Sequence, residues 1–307
     1  MKKVLFRADS SFKIGTGHIM RDLVFAQQYV KKGYKVIFAT RELKGNINHK
    51  ILEAGYSLKV LPSNAKKGLV SLLRKLCIDL LVIDHYKIDY KKEKYIKLRT
   101  GVKILSFDDT YEKHYCDVLL NHNLGANTTR YKSLVPHKCE LRCGSKYTLL
   151  RDEFHKEKKK KYTRPPHKRT IFLAMGGSDT EQLNIKVLKV LKKIPQLNVH
   201  LVTTSSNQKL QKLQNYCKDK KWIHLHIDSN KIAKLMVKSN FSIVTPSVTV
   251  NEVYYLSLPF IAIKTAKNQQ EVYSYLKKKG YNTLAKFHAK KLKLQIENLL
   301  KNEDKGV

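Results

Sequence analysis

The 307 residues, 42% of them apolar, suffice for two domains of ordinary size, and no stretch nears the roughly 18–20 apolar residues of a membrane span. The formal charge of +36 admits an anionic partner, but it sits mostly on lysines of exposed helix faces (Lys31-Lys32, Lys91-Lys92, Lys192-Lys193, Lys277-Lys278-Lys279) and not on a stripe of arginines and aromatics. No nucleic-acid partner is therefore expected, while a nucleotide diphosphate would still be steered inward. Five scattered cysteines, odd in number, suit reduced thiols in the cytoplasm; Cys139 and Cys143 lie close, with nothing beside them to complete a zinc site.

The chain opens on Val4-Leu5-Phe6, an apolar run broken by Arg7 and Asp9, which makes a poor signal peptide and a good first strand. A glycine loop follows. Leu23, Phe25, Ala26, Tyr29 and Val30 then predict a helix over about 19–32, with Gly33 at its C-terminal cap. Further strands are predicted at 35–39, 57–61, 80–84, 103–107 and 118–121, alternating with helices near 46–54, 66–77 and 90–99. These six strands make a Rossmann-like first half.

Residues 155–169 carry a dense run of Lys and Arg around Pro165-Pro166, with little to bury. They predict a solvated linker between domains 1–154 and 170–307. Strands then recur at 171–174, 199–203, 223–227, 241–244 and 260–263. Helices fall near 181–193, 208–218, 230–238, after Thr249 and at 269–279. Each half thus opens with a strand, a Gly-rich turn and a helix. The fold class is α/β, with two similar Rossmann-like domains of parallel sheets facing across a cleft, the default ligand site.

The first turn is Gly15-Thr16-Gly17-His18. Its glycines let the backbone approach a ligand, and the helix end beyond offers N–H groups and a positive dipole to an anion. His18 stands at that end, where the dipole disfavours imidazolium and leaves a neutral ring able to accept a proton. A local hydrogen bond at a helix start is the plainer reading, and position alone does not separate the two. In the second half Gly176-Gly177 repeats the turn. Ser247 and Thr249 put hydroxyls at a helix start, suited to a diphosphate, with Glu252 on the first turns to accept from ribose hydroxyls. An ordinary N-cap with Glu252 as capping partner fits the same residues. Asp84-His85-Tyr86 and Asp108-Asp109 end strands; the adjacent acids read as loop anchors, since neighbouring side chains point oppositely. No Asp-x-Asp triad, P-loop or Gly-x-Ser-x-Gly elbow occurs, and His49, His114, His122, His137, His200, His224 and His226 show no ligand spacing. No metal and no cofactor is expected.

Taken together, these segments resemble a known family. Phe6-Arg7-Ala8-Asp9-Ser10, Gly15 through Arg21, Ile83-Asp84-His85-Tyr86, Leu105 through Asp109, Cys143 through Tyr147, Leu149-Leu150-Arg151, Met175 through Asp179, Val250-Asn251-Glu252 and Lys267-Asn268-Gln269 follow the order and spacing of the UDP-2,4-diacetamido-2,4,6-trideoxy-β-L-altropyranose hydrolases. Those enzymes have a GT-B architecture and serve pseudaminic acid biosynthesis and flagellin glycosylation. They in turn resemble the glucosaminyltransferase that completes the lipid-linked peptidoglycan precursor. The resemblance implies a UDP-sugar hydrolase that releases UDP and the free sugar by cleavage at the anomeric carbon–oxygen bond. It implies His18 as the group that activates water, Tyr86 and Asn268 as supporting active-site residues, and Gly15, Gly17, Arg21, Gly176, Gly177, Ser247, Thr249 and Glu252 on the substrate or UDP side. A monomer acting on a small-molecule UDP-sugar is expected. Two alternatives carry different signals. A GT-B glycosyltransferase using a UDP-amino-sugar donor would need a membrane-docking patch if its acceptor were lipid-linked, and helix 66–77 is the one candidate; a nucleic-acid-binding protein rests on charge alone.

Overall fold

The computed structural model describes residues 1–160, 162, 169–177, 179 and 181–304. The chain divides into two compact units, Met1–Leu149 and Leu150–Val307.

The first unit runs β1 (Lys3–Ala8), α1 (Gly17–Lys31), β2 (Lys35–Thr40), α2 (Asn48–Glu53), β3 (Ser57–Val60), α3 (Lys66–Leu76), β4 (Leu80–Asp84), α4 (Tyr90–Thr100), β5 (Lys103–Phe107), β6 (Val118–Asn121) and β7 (Glu140–Cys143). All pairings are parallel, in the order β3-β2-β1-β4-β5-β6-β7. Alternate residues of β1 serve opposite layers. Val4, Phe6 and Ala8 join Phe25, Ala26 and Tyr29 of α1 on one face. Leu5 joins Leu69, Leu73 and Ile96 of α3 and α4 on the other. Both faces are covered, as an all-parallel sheet requires. Helix α1 matches its predicted span, and Gly33, at φ 77°, donates its N–H to Val30 just past the helix end. Val30 itself is exposed; its place in the buried stripe goes to His18, Arg21 and Asp22, whose burial no apolar pattern could signal.

Strand β7 is an addition to the six strands expected here. Glu-Leu-Arg-Cys has no apolar run, and its pairing with β6 makes it a strand. The thiols that meet are also not the pair close in sequence: Cys116 Sγ lies 3.7 Å from Cys139 Sγ, and all five cysteines are free.

A buried polar cluster ties α4 to the loops beyond β5. Glu93, fully buried, accepts from Ser106 Oγ (2.6 Å), the Tyr115 N–H (2.6 Å) and His114 Nδ1 (2.8 Å). Burial alone would push the His114 imidazole down, but Asp108 and Glu93 outweigh it and push it up to about 10. The folded chain therefore holds this proton more tightly than the unfolded chain does. The resulting stabilisation is complete below the ordinary histidine value of 6.5 and drains as pH rises towards about 10. Denaturant titrations at pH 6 and pH 9.5 should differ by on the order of 2–4 kcal/mol, and His114→Gln should remove most of that difference. Equal slopes for the two proteins would rule out the charged imidazole.

The second unit runs α5 (Asp152–Lys158), β8 (Arg169–Ala174), α6 (Leu183–Leu191), β9 (Leu197–Thr203), α7 (Leu210–Cys217), β10 (Ile223–Ile227), α8 (Ile232–Val237), β11 (Phe241–Val244), α9 (Val248–Tyr255), β12 (Phe260–Ile263), α10 (Gln270–Lys278), β13 (Asn282–Leu284) and α11 (Ala289–Asp304). Its sheet is also parallel, in the order β10-β9-β8-β11-β12-β13. Three elements go beyond the sequence reading. His155–Lys158, taken as the start of the linker, close α5, whose Phe154 is fully buried; most of the remaining basic run (161 and 163–168) lies outside the described residues. β13 is three residues long and pairs with β12. The Lys-rich tail is helix α11, which puts Leu292, Ile296 and Leu300 into the core at four-residue spacing. His200 and His224 are register partners on β9 and β10, and His200 Nδ1 reaches His226 Nε2 at 3.2 Å. Burial, followed by the neighbouring imidazoles, pushes His200 down to about 4.

Candidate active site

The strand ends of the first unit are braced before any reactive group is placed. Arg7, 1% exposed at the end of β1, donates to Asp9 at 2.6 and 3.1 Å and also to Asn64. Asp9 further accepts from the Arg41 N–H (2.8 Å) and Nε (2.7 Å), and pairs with His85 Nε2 at 2.9 Å. Burial raises the Asp9 carboxyl, but His85, Arg7 and Arg41 more than offset it and hold it well below the usual range. The ends of β1, β2 and β4 are thereby tied to one carboxylate. Between them, Ser11 and Gly15 exchange backbone hydrogen bonds (2.8 and 3.3 Å), pinching the loop at Gly15, whose φ is 83°. Gly17, the first residue of α1, has no positive φ, and a Cβ there would meet nothing within 4 Å.

His18 is the second residue of α1 and is buried. Its Nδ1 lies 2.5 Å from Asp84 Oδ1 at the end of β4. Arg21, one turn along, donates to the same carboxylate through Nε (2.6 Å) and Nη2 (2.5 Å). Burial raises the Asp84 carboxyl, but Arg21 and His18 outweigh it and keep the group ionised well below the ordinary carboxylate range. An ionised acceptor at Nδ1 fixes the proton there and leaves Nε2 with the lone pair, the tautomer a proton acceptor needs.

Tyr86 adds the outer wall. Its ring meets His18 edge-on (centroids 5.1 Å apart, 86°), and its hydroxyl donates to Asp109 at 2.8 and 3.0 Å. At 51% exposure it is open to solvent where His18 is not. Asp109 also faces Arg21 Nη1 at 3.8 Å, and burial pushes its carboxyl up. The Arg21 guanidinium lies 5.0 Å from the Phe107 ring centroid. The adjacent acids part company, as alternation dictates: Asp108 anchors its loop through Thr110, Glu112 and the Tyr131 hydroxyl (2.6 Å), whereas Asp109 turns to the site. His122 is buried nearby, and desolvation followed by the Arg21 charge pushes it down to about 3, so it is neutral.

The structure therefore brings together His18, Arg21 and Tyr86 from the sequence reading and adds Asp84 and Asp109. Arg21, expected on the substrate side, has its charge directed at these two carboxylates. Asp84 was visible as a polar strand end; that His18, 66 residues away, would be its partner depends on the pairing of β4 with β1.

The remaining candidates stand in the second unit. Gly176 has φ 86°, and the Gly177 carbonyl accepts from Thr204 Oγ1 at 3.0 Å; Ser178 and Thr180 lie outside the described residues. Asp179 accepts from the N–H groups of Leu183 (2.7 Å) and Asn184 (3.2 Å), and burial pushes its carboxyl up to about 6. Ser247 precedes α9 and makes no side-chain capping bond to the helix; its Oγ meets Thr245 Oγ1 at 2.9 Å. Thr249, on the first turn, is half-buried. Glu252 is buried and accepts from Arg151 Nη2 at 3.1 Å; burial raises its carboxyl and Arg151 works against that. Asn268 is exposed in a short 3-10 turn, Lys267–Gln269. Among the described residues, no three metal-ligating side chains converge and no helix is long and apolar enough to cross a membrane.

No family model matches the chain. A relative from Campylobacter jejuni, UDP-2,4-diacetamido-2,4,6-trideoxy-β-L-altropyranose hydrolase, is 44% identical over 285 residues, covering 93% of this chain and 100% of the relative. Among solved structures, Acinetobacter baumannii MurG matches 98% of this chain and 91% of its own with a TM-score of 0.64 at 13% identity. Anabaena Alr3699/HepE, solved with UDP-glucose, matches 99% and 91% with a TM-score of 0.62 at 11% identity. At such identities these structures speak to the fold alone, and it is the GT-B fold expected from the sequence.

Proposed function

The chain belongs to the family of UDP-2,4-diacetamido-2,4,6-trideoxy-β-L-altropyranose hydrolases, and on that premise we propose that it hydrolyses this UDP-sugar to UDP and the free diacetamido sugar, with His18 as the base. The observation that carries the residue assignment is the 2.5 Å contact of His18 Nδ1 with Asp84, because it prepares Nε2 to take a proton. Water attacks the anomeric carbon as its proton passes to Nε2. The carbon–oxygen bond to the β-phosphate breaks, and its electron pair leaves with UDP. Asp84 and Arg21 keep the ring in one orientation, and the ionised Asp84 stabilises the imidazolium as it forms. Gly17 lacks a reason within the fold to be glycine, which supports close approach of the substrate to the start of α1.

UDP is assigned to the second unit: the Gly176-Gly177 turn and the Ser247 and Thr249 hydroxyls at the start of α9 suit a diphosphate, and Glu252 suits a ribose. Tyr86 and Asn268 are assigned to the sugar side. Pseudaminic acid biosynthesis, flagellin glycosylation, a cytoplasmic location and a monomeric state belong to the same reading.

The test is release of UDP from the UDP-diacetamido sugar by purified protein in the presence of EDTA and without an acceptor. Equimolar UDP and free sugar are expected, at a rate EDTA does not change. No release until a hydroxyl acceptor is supplied would replace the hydrolase with a glycosyltransferase.

A further inference from the structure

Asp22, one residue beyond Arg21 in α1, is fully buried, and no donor among the described residues reaches either of its carboxyl oxygens. An ionised carboxylate in that position would forfeit its hydration with no hydrogen bond in return. Asp22 follows His18 by four residues and Arg21 by one, so it lies on the turns of α1 that meet the Asp84 carboxyl at the end of β4, and Arg21 is the charged neighbour on its own helix. Asp84 in turn faces His18 and Arg21 of α1; Asp109 faces Arg21 Nη1, and His122, buried and neutral, feels the charges of both Arg21 and Asp84. Two adjacent carboxyls in a dry site cannot both be ionised; one keeps a proton. Asp84 is the one that Arg21 and His18 hold charged.

We propose that Asp22 is a neutral carboxylic acid whose proton is shared with Asp84, making it a positioning residue that backs the His18–Asp84 pair. Asp84 then receives hydrogen bonds from His18, Arg21 and Asp22, which hold its carboxylate plane still while His18 takes its proton. Burial, with Asp84 next to it, raises the Asp22 carboxyl well above the ordinary aspartate range, in agreement with this assignment.

Two near-isosteric substitutions separate the roles. Asp22→Leu cannot donate to Asp84 and should lower kcat about tenfold with KM little changed, and Asp22→Asn, which offers an N–H in place of the O–H, should recover kcat to within about threefold of wild type. The acid limb of the pH profile should coincide for wild type and Asp22→Asn, because a neutral group replaces a neutral group. A folded Asp22→Asn as slow as Asp22→Leu, or one whose acid limb moves down by about half a pH unit as a lost negative charge would require, overturns the proposal. The kinetic arm rests on the proposed hydrolase activity; an infrared arm does not. The difference spectrum of wild type minus whichever variant folds, taken at pH 7, should show a protonated-carboxyl band, and a carboxylate band there overturns the proposal. That protonated band together with no release of UDP would refute the activity and leave Asp22 as assigned.

Discussion

Replacing His18 with alanine should lower turnover of the UDP-sugar by about 10²–10⁴-fold, the usual worth of a positioned general base, while UDP binds within about threefold of wild type. The separation follows from the proposed division of labour between the units. His18 belongs to α1, and the turn and helix start assigned to UDP belong to the second unit. Single-turnover kinetics and calorimetric titration with UDP measure the two terms independently. A variant with near-normal turnover would remove His18 from the chemistry, and one that lost UDP binding as well would place the nucleotide at α1.

Asp84→Asn should cost nearly as much as loss of His18, about 10²–10⁴-fold in kcat, with KM changed far less. Asparagine keeps the shape of the side chain but can present its amide N–H to His18, which fixes the opposite tautomer and leaves Nε2 protonated. It also leaves the buried Arg21 guanidinium facing one carboxylate, Asp109 at 3.8 Å, where it had two. Loss of thermal stability is therefore expected alongside loss of rate. Activity within threefold of wild type would mean that Asp84 serves only to bury Arg21. Equal losses in His18→Ala, Asp84→Asn and the double variant would identify the two as one functional unit.

The apolar strands of both units are legible from the sequence because a parallel sheet covered on both faces needs continuous β-branched and apolar runs, and Val36–Ala39, Leu80–Ile83 and Ile171–Ala174 are such runs. β7 and β13 are not legible, because their pairing to β6 and β12 makes them strands and their composition does not. α11 could have been found: Leu292, Ile296 and Leu300 recur at helical spacing beneath a density of lysines that reads as a tail. The basic composition hid an ordinary amphipathic helix.

The candidate site divides in the same way. Local order determined the Gly15-Thr16-Gly17-His18 turn, the start of α1 and the position of the histidine at the carboxyl end of a strand, since these depend on backbone geometry and helix termini within a few residues. Its order and spacing with the other motifs also carried the family and the GT-B fold. Only the tertiary structure decided what the charged residues do. Arg21 and Asp22 are neighbours in sequence, yet one ion-pairs with Asp84 and the other is buried with no donor to its carboxyl among the described residues. Asp108 and Asp109 part to a loop and to Tyr86. These outcomes depend on which strand lies beside β1 and on which groups lose water together. Electrostatic interactions in a buried cluster are set by distances of a few ångströms between segments tens of residues apart, and such distances have no period for a sequence pattern to carry.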